Sequence, residues 1–125
     1  MVAAWLGLIL AWGSSTPFLE VLNAQAGQRA TLALSNAQPF SVARMGWSIA
    51  GPGPTQFQTP LGTIDAAFGS PYTLSPPLPV DSLGLASWTR SLPANSVGVV
   101  IYAQAVVYEP VTGLQLSNPV AETVQ

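Results

Sequence analysis

The groups in this chain that could do chemistry are few enough to name. The carboxylates are Glu20, Asp65, Asp81, Glu109 and Glu122, the guanidiniums are Arg29, Arg44 and Arg90, and lysine, histidine and cysteine are absent. Two acids flanking a sugar would be the minimum equipment of a glycosidase, because one must donate a proton while the other attacks or activates water. No spacing among the five acids singles out such a pair. Without imidazole there is no Ser-His-Asp triad and no usual zinc ligand, and without thiols there is no cysteine nucleophile and no disulfide. Acid–base groups this scarce point away from an enzyme, and neither a catalytic residue nor a cofactor is expected. Three scattered arginines cannot neutralise a run of phosphates, so nucleic acid is not an expected partner.

Three remaining polar or aromatic sets invite a functional reading. Asp65 and Asp81 could lend oxygens to a calcium ion, but neither stands in an Asp-x-Asp-x-Asp run, so they are expected to cap turns instead. Gln104 lies inside the most apolar stretch of the chain, VGVVIYAQAVVY. A buried amide there must find partners, and satisfying backbone groups of a neighbouring segment is the expected role, with a polar contact in a ligand pocket as the alternative. Aromatic faces can also stack on the apolar faces of sugars. Trp47 and Trp88 fall on inward phases of their strands, whereas Trp12 and Tyr72 remain available as a possible ligand platform.

The elements that must position these groups are strands. Apolar residues make up 49% of the 125 residues and charged residues only 6%, against roughly 25% in ordinary soluble domains. Eleven glycines and twelve prolines fall as punctuation between short apolar runs, which is the rhythm of a sandwich or barrel. No window offers a capped helix of 3.6-residue period. Alternation predicts strands over 18–22, 28–35 and 42–49, the last with Met45, Trp47 and Ile49 inward and Arg44 and Ser48 outward. A short strand follows at Tyr72 and Leu74, then one over 85–92 with Ala86 and Trp88 on one face. The run 97–108 is apolar on both faces and reads as a central strand, and 114–116 and 120–124 close the chain. The fold expected is all-β: a two-sheet antiparallel sandwich of jelly-roll or immunoglobulin-like type with about eight or nine strands.

The apolar stretch over residues 1–11 forms a segment of its own ahead of the sandwich domain at 12–125. It has about half the roughly 20 residues of a membrane helix, so no membrane span is expected. Its length suits a signal-peptide core, but no basic residues precede it and no Ala-x-Ala site follows. It reads as a strand, with a signal remnant as the alternative. Apolar on both faces and nearly without charge, an exposed strand of this kind would aggregate and must be covered. Val2, Trp5, Leu6, Leu8, Ile9 and Leu10 would then pack either in their own sandwich or in the sheet of a neighbouring copy. Head-to-tail donation does not close on itself and would build a filament.

From Trp12 onward the ordered pieces WGSSTPFLEV, GQRATLALSNAQPFSVARMGWSIAG, PLGTIDAAFGSPYTL and DSLGLASWTRSLPANSVGVVIYAQAVVYEPVTGLQLSNPV stand in a series. The series is similar to a domain common near the C-termini of secreted proteins of planctomycetes and related bacteria, and the likeness covers about residues 12–124. It implies a β-sandwich, an extracellular or cell-surface location and no catalytic residue. The chain departs from that pattern in its apolar leading segment, and in Ser14 and Ser15 where the resemblance leads one to expect cysteines.

Together these readings point to a non-catalytic extracellular structural subunit. It would self-assemble into a filament or surface layer through strand pairing and apolar contacts. Its expected partners are copies of itself or the cell envelope. The alternative is a glycan-binding accessory module of a secreted protein.

Overall fold

The computed structural model describes residues 16–110 and 113–125, and within them the chain is all β, as eleven strands in antiparallel pairs. In chain order they are β1 (Phe18–Leu22), β2 (Arg29–Ser35), β3 (Val42–Ser48), β4 (Thr55–Thr59), β5 (Gly62–Ala66) and β6 (Thr73–Leu74). The remaining five are β7 (Leu78–Pro79), β8 (Ala86–Ser91), β9 (Val100–Glu109), β10 (Gly113–Leu116) and β11 (Val120–Thr123). All eight strands expected in this range are present, and β4, β5 and β7 are additional. Among the described residues no helix is long and apolar enough to cross a membrane.

Two sheets make the sandwich. Sheet A runs β1-β2-β8, and sheet B runs β10-β9-β3-β6, with β11 also paired to β9 and β7 to β3. Alternation dictates what lies between them. In sheet A, Leu19 of β1 faces Leu34 of β2, and Leu32 of β2 faces Trp88 of β8, all on the inner face. In sheet B the register sets Ala43 against Val107, Met45 against Ala105 and Trp47 against Ala103. Large leucines on one sheet thus meet alanines on the other, and the two faces interdigitate into one buried cluster. Each fully buried leucine contributes about 2 kcal/mol relative to exposure. Trp47 and Trp88 are half-buried against this core, as their phase requires.

A third layer was not visible in the alternation. The β4–β5 hairpin packs over the outer face of sheet B, where Phe68, just past β5, lies against Gly46 of β3. A methyl at position 46 would stand 2.3 Å from the Phe68 ring, so glycine is what lets the ring seat on the sheet. This cover explains why β9 is apolar on both sides: its inner residues meet sheet A, and Gln104 and Val106 lie under the hairpin.

Two expectations need correction. Ile49 does not point inward but is exposed, because β3 ends at Ser48, whose Oγ accepts the Ala50 N–H at 2.8 Å and turns the chain aside. The central strand begins at Val100 rather than Val97: Gly98 at φ 85° makes a turn there and leaves Val97 exposed.

Candidate functional site

The sequence-predicted residues separate into those that build the fold and those left at its surface. Gln104 belongs to the first group. Its Oε1 accepts the Ala67 N–H at 2.8 Å and its Nε2 donates to the Ser117 carbonyl at 2.7 Å. The amide therefore ties the end of the hairpin to the crossing between β10 and β11, which is the backbone-satisfying role the sequence suggested. Asn118 works similarly at the sandwich edge. Its amide accepts from the Leu19 N–H at 2.7 Å and donates to the Leu19 carbonyl at 2.9 Å, occupying part of the open side of β1 as another strand would.

Asp81 caps a turn as expected, with Oδ1 accepting the N–H groups of Leu83 and Leu85 at 2.8 and 2.9 Å. Asp65 does not. It sits exposed within β5 opposite Gln56, because the hairpin that sequence reading missed places it on a strand. Tyr72 is half-exposed and packs edge-on against Phe57 at 5.2 Å and beside Phe68 at 5.6 Å. That trio anchors the hairpin. Trp12, the other platform residue, and the assembly residues Val2, Trp5, Leu6, Leu8, Ile9 and Leu10 lie outside the described residues.

What sequence reading missed is an apolar pole. β3 begins, β9 ends and β7 ends at one end of sheet B, and β1 and β8 begin and β2 ends at the same end of sheet A. The loop over 36–41 and the loop over 80–85 cross between the sheets there. They are bonded to each other: Ala37 N–H to the Gly84 carbonyl at 3.2 Å, Phe40 N–H to the Val80 carbonyl at 3.1 Å, and Val80 N–H to the Ser41 carbonyl at 2.9 Å. Gly84 (φ 78°) is needed at this junction, since a Cβ would lie 2.5 Å from the Ala37 carbonyl oxygen.

These braced loops hold their large side chains outward. Phe40 is 80% exposed and Leu83 77%, with Leu85, Val42 and Tyr108 also exposed around them. Phe40 sits at φ 62°, a left-handed conformation that costs a bulky L-residue on the order of 1 kcal/mol. The charged groups at this end are acids, Asp81 and Glu109, and Asp81 is already engaged by the turn. A signal existed in the sequence: Phe40 and Leu83 are large apolar residues inside Pro- and Gly-bearing turns, where solvent-facing polar side chains are the rule. Thr16 lies here too, its carbonyl accepting from Asn36 Nδ2 at 3.0 Å.

The chemistry available at the pole is apolar contact. The five acids are spread over β1, β5, the β7–β8 loop, the end of β9 and β11. Among the described residues no three groups capable of holding a metal come together. Comparison with known proteins returns no matching family model and no matching curated relative.

Proposed function

We propose that this chain is a non-catalytic extracellular structural subunit that assembles with copies of itself through its apolar pole and through strand pairing. The observation that carries the reading is the pole: Phe40 and Leu83, both more than three-quarters exposed, are held outward by loops hydrogen-bonded to each other. Rigid, exposed apolar groups rimmed by polar surface are the usual mark of an interaction site. With only eight charged side chains and a net charge of −2, copies repel one another weakly.

Strand pairing has an available template in β8, the terminal strand of sheet A, whose far side no other described strand occupies. The apolar residues 1–11 would be the donated strand, pairing with the sheet of the next copy. The extracellular setting follows from the resemblance.

The test is light scattering coupled to size-exclusion chromatography over a range of concentrations. Self-association is expected in the full chain. Phe40→Asp with Leu83→Asp should give a monomer whose melting temperature is not lowered, because both side chains are exposed in the monomer. Deleting residues 1–11 should abolish filaments. A full chain that stays monomeric throughout, or a double variant that associates like the parent, would overturn the reading.

A further inference from the structure

The hairpin does not seal the face it covers. Between it and sheet B lies a cavity of about 180 Å³ walled by Phe57, Ile64, Phe68, Leu74, Val106 and Leu116. A cavity of about 150 Å³ lined by such side chains stays dry and takes up benzene, so this one has room for a single ring or a branched alkyl group.

One charged group stands in its wall, Arg44 of β3. The Arg44 Nε donates to the Ser75 carbonyl at 3.0 Å, which orients the guanidinium, while its terminal nitrogens bond to no described residue. No carboxylate lines the cavity. Gln104, which also borders it, is engaged at both ends of its amide. An apolar hole of ring size therefore opens beside an oriented guanidinium with unused donors. Those donors match the two oxygens of a carboxylate, the partner for which this fork geometry is suited.

We propose that this cavity binds a compact apolar monocarboxylate, with its ring or branched alkyl group between hairpin and sheet and its carboxylate on the terminal nitrogens of Arg44. The site lies on the outer face of sheet B and does not depend on the pole. The space accommodates one ring.

The test uses the full chain with benzoate as probe and benzyl alcohol as its uncharged counterpart, read by saturation-transfer NMR and calorimetry. Benzoate should bind saturably to the parent protein. Arg44→Gln, at an exposed side chain, should weaken benzoate about tenfold and leave benzyl alcohol unchanged, as loss of a charge-assisted pair demands. Val106→Phe fills the cavity and should remove both ligands. If Val106→Phe fails to fold, the Arg44→Gln comparison decides alone. Absence of saturable benzoate binding, or equal benzoate affinity in the parent and Arg44→Gln, would overturn the proposal.

Discussion

Sheet B breaks its outer strands at the same height on both sides, and the two breaks are built alike. Ser75 separates β6 from β7, and Ser117 separates β10 from β11. Each serine donates its N–H to the facing strand, to Met45 at 2.7 Å and Ala105 at 2.9 Å. Each facing residue returns its own N–H to the serine Oγ at 2.9 Å, and each Oγ donates onward to the next carbonyl, that of Pro76 or of Asn118. Met45 and Ala105 are register partners, so the two corners stand directly across the sheet from one another. In both, a side-chain oxygen replaces the strand carbonyl that is lost as the chain bends toward a proline, and no buried N–H is stranded.

The corners differ in what else they hold. At Ser75 the added support is the Nε of Arg44, an exposed side chain. At Ser117 the support is Gln104, which reaches the hairpin, and the next residue, Asn118, which reaches sheet A. One local device is peripheral on one edge, and on the other it is the junction of all three layers. Its importance comes from its wiring, not from its geometry.

Four substitutions would break or sharpen this contrast, measured by urea unfolding in the background of Phe40→Asp with Leu83→Asp so that association adds nothing. Gln104→Leu should cost the most, about 3 kcal/mol, because it leaves both the Ala67 N–H and the Ser117 carbonyl without partners. A loss below that of either serine variant would mean the junction is not where the layers are tied. Ser117→Ala and Ser75→Ala each remove the acceptor of one buried N–H and should cost about 1–2 kcal/mol apiece. Clearly unequal losses would show that the corners are not equivalent devices. Arg44→Met should change stability least, by under about 0.5 kcal/mol, since an exposed side chain is being replaced. A larger loss would make the Ser75 corner as dependent on its support as its counterpart.

Much of the fold was legible in the chain because period-2 patterning survives wherever one face of a strand meets the core. Ala30, Leu32 and Leu34 alternate with Arg29, Thr31 and Ser35, and they are buried on that phase. The hairpin was not legible. Phe57 and Ile64 alternate with polar neighbours much as core residues do, but the strands are short and their cover is another layer rather than the opposite sheet. Gln104 was legible as a buried amide serving backbone groups, though its partners, some 37 and 13 residues away, were not. The pole escaped because alternation says nothing about apolar residues in loops.

The sequence by itself determined that the chain forms strands, where most of them lie and which side of each is apolar, since these follow from local sterics and spacing. It also determined the scarcity of acid–base groups, which is composition alone. Only the tertiary structure decided which apolar side chains stay outside. Leu32 and Leu83 are the same residue type, yet one is 2% exposed and the other 77%. Burial depends on what the fold places opposite a side chain, and that partner comes from a distant part of the chain.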